Sequence, residues 1–79
     1  MRATTTILVN GPAIRALRIA GGYDVDSFSE AADLSRPYIT KLELGHSQGC
    51  RPPAFGRIVA ALGLVDRRAI LANPYGEGS

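Results

Sequence analysis

The chain has 79 residues, of which 46% are hydrophobic, so it suffices for one small folded domain and excludes disorder throughout. It is too short to add a separate ligand-binding or oligomerisation domain, and no apolar run approaches the roughly 18 residues of a membrane span. The start does not resemble a signal peptide, and the lone Cys50 excludes an intrachain disulfide and favours a reducing cytoplasm.

The charges are unevenly distributed. Between Ala20 and Ser35 every charged residue is acidic, whereas most basic residues come later, so we expect the two signs on different faces. The net charge of +2 is too small to indicate a nucleic-acid partner by itself. Eight of the nine basic residues are Arg, which suits phosphate and guanine contacts, although a GC-rich genome produces the same bias.

The first predicted elements are an arm and a helix. Residues 4–9 (TTTILV) are rich in β-branched side chains and indicate an extended arm or short strand. Asn10 or Gly11 then caps a first helix that has Pro12 in its first turn. Gly21 and Gly22 end this helix.

Two further helices follow closely. Asp24 caps a second helix over residues 25–32, and Asp33 suits a tight, left-handed turn. The third helix covers about residues 36–44 and contains Pro37 in its first turn, where the missing N–H has no intrahelical acceptor to lose. Ser35 is one candidate cap, and Arg36 is the other because proline disfavours a helical residue before it.

The remaining Gly, Pro and Asp residues predict a loop and two more helices. Residues 45–52 form the loop, and Pro53 opens a fourth helix that Gly63 closes. Asp66 caps a short fifth helix with the sequence RRAILA. The fold class is therefore all-α, a compact bundle of five helices preceded by an extended or β-like arm.

The central unit, about residues 25–44, has the mechanics of a helix-turn-helix. Ser29 and Ala32 are small enough for the second and third helices to cross closely, and Leu34 fills the turn between them. Ile39 and Leu42 lie on the buried side of the third helix.

The chain resembles the lambda-repressor-like, Cro-type helix-turn-helix family of bacterial and phage regulators. LSRPYITKLELG and RIVAALGL carry the resemblance at the right separation, and it spans about residues 12–72. It implies a cytoplasmic, stand-alone regulator, most like a phage Cro or immunity repressor. Such a protein binds double-stranded operator DNA as a homodimer, with the recognition helix (about 36–44) in the major groove. Residues 1–11 would then be an arm, 12–72 the DNA-binding domain and 73–79 a tail.

The resemblance also assigns residues. Positions at the start of the third helix and one turn on would face base edges, and a basic position before the fourth helix would contact backbone or minor groove. The candidate DNA-binding residues are Ser35, Arg36, Pro37, Tyr38, Thr40, Lys41, His46, Ser47 and Arg51. Arg18 and Glu43 match a pair that forms an internal salt bridge. The chain departs from the family pattern at Val25, where a phosphate-binding glutamine is common, and near Gly49, where the loop is longer.

Other interpretations stay open for several residues. Arg36 and Lys41 could belong to a solvated face, and Arg51 could be solvated in its loop. Tyr38 could donate to a phosphate or be half-buried, and His46 is a lone loop histidine. An antitoxin or protein-interaction adaptor is the alternative function. We find no nucleophile–base pair, phosphate-binding glycine loop or metal-ligand spacing, so we expect no enzyme, cofactor, metal or small-molecule effector.

The chain has more apolar residues than one monomer of this size easily covers. We therefore expect a homodimer formed by the arm, the fifth helix or both, with candidates Ile7, Leu8, Val9, Ile70 and Leu71. The sharper version has the arm pairing as a strand with its two-fold mate. Alternatively, the arm folds back on its own domain. A third interpretation is that the chain is the N-terminal domain of a longer repressor.

Overall fold

The structure, a computed structural model, describes residues 6–46 and 49–72. This part of the chain is mostly helical and contains four α-helices and two short strands. The strands are β1 (Ile7–Leu8) and β2 (Gly49–Cys50); the helices are α1 (Gly11–Ala20), α2 (Val25–Ala32), α3 (Arg36–Leu44) and α4 (Pro52–Leu62).

The expectation of a fifth helix over residues 67–72 is wrong. Asp66 caps a single 3₁₀ turn, Arg67–Ile70, whose backbone is followed by Leu71 in an extended conformation. Leu71 is extended because it forms an antiparallel bridge with Val9 of the arm. The chain that follows the 3₁₀ turn therefore pairs with the arm and does not continue as a helix.

Polar side chains begin the first three helices, as the sequence predicts. Asn10 accepts a hydrogen bond from the Ala13 N–H at 3.1 Å, which satisfies one of the N–H groups that a helix start leaves free. Asp24 and Ser27 form a reciprocal capping box at the start of α2. These caps are local in sequence, which explains why the helix starts were predictable.

Ser35, not Arg36, caps α3. Its backbone is extended and its hydroxyl accepts from the Tyr38 N–H at 3.2 Å. Arg36 is already helical despite preceding proline, and Pro37 occupies the second helical position, where no intrahelical acceptor is lost. Proline here marks the start of the helix.

A three-residue connection joins α2 to α3. Asp33 has φ 57° and ψ 45°, the left-handed conformation that the sequence predicts. The Leu34 N–H returns to the Ser29 carbonyl at 3.0 Å, and the half-buried Leu34 packs against the core. The two helices are thereby held at a fixed angle by a short, hydrogen-bonded turn.

Each helix and the 3₁₀ turn contributes to one core. The largest fully buried side chains are Ile14, Phe28, Ile39, Leu42, Ile58 and Ile70. Phe28 also meets the ring of Tyr23 edge-on, with centroids 5.5 Å apart. The core thus lies between α1, α2, α3 and α4, and the 3₁₀ turn closes one side.

The arm folds back on its own domain. β1 pairs antiparallel with β2, placing Ile7 opposite Cys50 and Leu8 opposite Gly49. The loop predicted over residues 45–52 therefore contains a strand. On the other edge of the arm, Asn10 donates to Ile70 at 2.8 Å and Leu8 accepts from Ala72 at 3.1 Å. Both edges of the arm are hydrogen-bonded within the chain, which is the alternative to pairing of the arm with a two-fold mate.

The start of α1 touches the end of α3 at Gly11. A Cβ added at this glycine would collide with the carbonyl oxygen of Leu42 and would lie 2.9 Å from that of Glu43. Both obstacles are backbone atoms of α3, so neither can move aside by a rotamer change. A residue without a side chain is required at this crossing.

Gly11→Ala is expected to lower the free energy of unfolding by about 1–3 kcal/mol, because the methyl group pushes α1 away from α3. Denaturant titration would measure this change in the free energy of unfolding. Gly56→Ala in α4 is the matched control: nothing lies within 4 Å of its added Cβ, and it should stabilise by up to about 1 kcal/mol. Equal effects of the two substitutions would contradict the assigned contact.

The cap of α2 should make stability depend on pH. Hydrogen bonds from the backbone and side chain of Ser27 lower the pKa of Asp24 below its ordinary value of 3.8. The ionised cap therefore stabilises the fold above that value, and this contribution is lost as the pH falls through the lower, folded-state pKa.

Asp24→Asn keeps a capping oxygen but does not titrate. The thermal midpoint of the variant should consequently fall less steeply than that of the wild type below about pH 4. Some dependence should persist, because Arg68 lowers the pKa of Asp66 in the same way. Parallel curves for the two proteins would show that Asp24 does not supply the pH dependence.

Candidate nucleic-acid interface

The outward side of α3 presents the central group of predicted residues. Arg36, Pro37, Thr40 and Lys41 are all exposed, and together they line a shallow depression of about 410 Å³. The opposite side of the helix carries the buried Ile39, Leu42 and Glu43. The two sides follow from helical periodicity, since residues three and four apart share a face. We call the exposed four the α3 face.

A buried ion pair fixes the rotation of α3. Arg18 donates from Nε to one oxygen of Glu43 at 2.7 Å and from Nη2 to the other at 2.9 Å. A third hydrogen bond joins Arg18 to the Tyr23 carbonyl at 3.0 Å. The Glu43 hydrogen bonds raise the pKa of Arg18, so it stays charged. The pairing implied by the family resemblance is confirmed, and it locks the end of α3 against α1.

Arg36 has an acidic neighbour that the sequence analysis did not identify. Its Nε lies 2.7 Å from a carboxylate oxygen of Asp26 in α2, and both side chains are 67% exposed. The expectation that acidic and basic residues occupy different faces is therefore wrong at this point. An exposed pair of this kind contributes about 0–1 kcal/mol to stability, so Arg36 can exchange it for another acceptor.

A second depression beside α3 contains two arginines. Arg51 and Arg57 line a hollow of about 580 Å³ together with Tyr38. Arg57 also donates to the Asp33 carbonyl at 3.3 Å, which places it beside the α2–α3 turn. Sequence reasoning missed Arg57. Its position outside the apolar stripe of α4 was visible, but its proximity to α3 arises from tertiary packing.

Tyr38 is half-buried, as one of its two interpretations predicts. Burial raises the pKa of its phenol, and burial likewise raises the pKa of the neighbouring Cys50 thiol. The ring packs against the core while the residue still lines the hollow with Arg51. Tyr38 therefore stays neutral and can act as a hydrogen-bonding edge of this hollow.

The structure separates the remaining candidates. Ser35 is exposed, but its hydroxyl is used to cap α3. His46 is exposed just past the end of α3, and the helix itself rises roughly 12 Å along its axis from Arg36 to Leu44. Ser47 lies outside the described residues. The hollow adjoins α3 through Tyr38, whereas His46 lies beyond the C-terminal end of the helix.

Most of the predicted dimer residues are used within the monomer. Val9 and Ile70 belong to the core, and Ile7 and Leu71 are partly buried against it. Leu8 is the exposed member of the five, at 57%. Leu44 and Ile19 are also exposed, at 63% and 51%. Of the five predicted residues, an interface built on the arm would therefore rest on Leu8.

Within residues 6–46 and 49–72, no group of three His, Cys, Asp or Glu side chains is placed to hold a metal ion. None of the helices described is long and apolar enough to cross a membrane.

Comparison with known proteins returned no matching family model, no matching curated protein and no matching solved structure.

Glu43→Gln should lower the free energy of unfolding by about 3–5 kcal/mol, because the buried Arg18 charge loses its partner. Denaturant titration at neutral pH would measure the change. The matched control is Glu30→Gln, which removes the same charge from an exposed position on α2 and should change little. Similar losses in both variants would show that net charge, not the buried pair, is responsible.

Proposed function

We propose that the chain is a sequence-specific double-stranded DNA-binding regulator in which α2 and α3 form a helix-turn-helix. α3 enters the major groove of the DNA, and α2 lies across this groove. The observation that carries the proposal is the α3 face: four exposed side chains aligned on a helix whose opposite side is locked into the core. Such a helix is held rigidly enough to present side chains to base edges.

The chemistry of the α3 face suits base recognition. Arg36 can donate two hydrogen bonds to guanine O6 and N7, and Lys41 reaches a second base or a phosphate. The Thr40 methyl group and the Pro37 ring supply apolar surface for a thymine methyl. Both kinds of contact are available without a cofactor.

The neighbouring hollow suits the phosphate backbone. Arg51 and Arg57 bring two permanent positive charges beside α3, and the Tyr38 hydroxyl adds a neutral donor. Phosphate contacts set the position of a protein on the duplex, whereas base contacts set its preference. The two groups of residues therefore divide these tasks.

We further propose that the regulator acts in the cytoplasm as a homodimer, in the manner of a Cro-like repressor. The exposed Leu8 and Leu44 supply apolar surface outside the α3 face. Because operators bound by such dimers are two-fold symmetric, each monomer would read one half-site. Occupation of a promoter would then repress it, and protein concentration would set the occupancy.

An antitoxin or adaptor that uses the same fold is the second candidate. The exposed Leu8, Leu44 and Ile19 favour it, because exposed large apolar side chains also suit contact with a different protein. Co-purification of a stoichiometric partner, without salt-sensitive DNA binding, would select this function.

The test is selection of bound sequences from randomised DNA, followed by affinity measurements over a salt series. Arg36→Ala should lose about 1–3 kcal/mol of discrimination at one base position. Arg57→Ala should weaken all sequences alike and reduce the slope of log K against log salt by about one.

Arg67→Ala is the matched control for charge, because Arg67 is exposed on the 3₁₀ turn and lines neither the α3 face nor the hollow. It should leave base preference unchanged and alter the slope less than Arg57→Ala does. An Arg36→Ala protein with the wild-type base preference would refute the assignment of Arg36, and wild-type protein without salt-sensitive binding would refute the function.

A further inference from the structure

Asp26 and Arg36 bring opposite charges together at the solvent-facing junction of α2 and α3. Asp26 lies in the first turn of α2 and Arg36 in the first turn of α3. Because both side chains are two-thirds exposed, the pair adds little to folding and is accessible to a partner. The pair includes Arg36, which belongs to the α3 face, so it can affect which DNA sequence this face binds.

The geometry leaves part of the Arg36 guanidinium available. Asp26 approaches Nε, on the side of the group. Among the described residues, no hydrogen bond engages the terminal nitrogens Nη1 and Nη2. These nitrogens carry parallel N–H donors, which match the O6 and N7 acceptors of guanine.

The Asp26 charge also distinguishes between two acceptors. If Arg36 bound a DNA phosphate, that phosphate would approach the Asp26 carboxylate, and the two negative charges would repel each other. A guanine edge presents two acceptors without a net charge, so the repulsion is smaller. Asp26 should therefore weaken binding to unrelated DNA more than binding to a site with guanine at the correct position.

We propose that Asp26 is a specificity-determining residue, which holds Arg36 by its Nε side so that the terminal nitrogens face a base rather than a phosphate. The proposal rests on the DNA-binding function proposed above. Asp26 acts through Arg36 and is thus a positioning residue.

The experiment uses the full chain as wild type, Asp26→Asn and Glu30→Gln. Glu30 is an exposed acid one turn along α2 and forms no ion pair in the part of the chain that the structure describes, so its substitution removes the same charge. The probes are the duplex enriched by wild type from a randomised pool and an unrelated duplex of equal length, at one salt concentration. Thermal midpoints verify that each variant is folded.

Asp26→Asn should reduce the affinity ratio between the two duplexes about two- to fivefold more than Glu30→Gln, the range that an exposed ion pair can supply. It should also relax guanine preference at the position that Arg36→Ala relaxes. In an Arg36→Ala background, Asp26→Asn and Glu30→Gln should change the ratio equally. Asp26→Glu, which keeps the charge, should retain the ratio within about twofold.

Each contrary result has a distinct meaning. If Asp26→Asn changes the ratio no more than Glu30→Gln, or weakens both duplexes equally, the role of Asp26 is overturned and the proposed function stands. If wild type enriches no duplex and its binding does not depend on salt, both proposals fail together.

Discussion

The buried ion pair between Arg18 and Glu43 is the constraint on which the presentation of α3 depends. Its two short hydrogen bonds join α1 to α3 in the interior, where an unpaired charge is costly. The Gly11 contact with the α3 backbone supports the same crossing. These contacts fix the rotation of α3 about its own axis. The buried side of the helix therefore determines which residues face the solvent.

Under the proposed function, the residues around α3 divide the recognition chemistry between two surfaces. The α3 face offers hydrogen-bond donors and apolar groups suited to base edges, while the hollow lined by Arg51 and Arg57 offers charge suited to phosphates. Asp26 lies at the edge of the first surface and joins α2 to it through Arg36. Under the proposed function, an acidic residue beside a DNA-binding helix limits indiscriminate attraction to a polyanion, so a modest net charge becomes an advantage.

Local features of the fold were predictable from the sequence, whereas distant contacts were not. Asn10, Asp24 and Asp33 act within one turn of themselves, so their types reveal helix starts and the α2–α3 turn. Three features depend on contacts between segments that are far apart in sequence. β1 pairs with β2, Leu71 bridges Val9 instead of extending the last helix, and Arg57 donates to the Asp33 carbonyl. Only the tertiary arrangement brings these segments together, and no hydrophobic period or capping residue encodes it. For the candidate site, the residues on α3 were predictable, but their neighbours from α2 and α4 were not.

The position of the arm has a consequence for synthesis of the protein. Val9 bridges Leu71, and Asn10 donates to Ile70, so the start and the end of the described chain close the same core. Translation proceeds from the N-terminus, and these contacts of high sequence separation form only after residue 72 has left the ribosome. The helices can form earlier. The position in the core that Ile70 fills stays empty until residue 72 has left the ribosome. The domain therefore completes its core in a single late step, and a prematurely terminated chain would expose the apolar surface that this step covers.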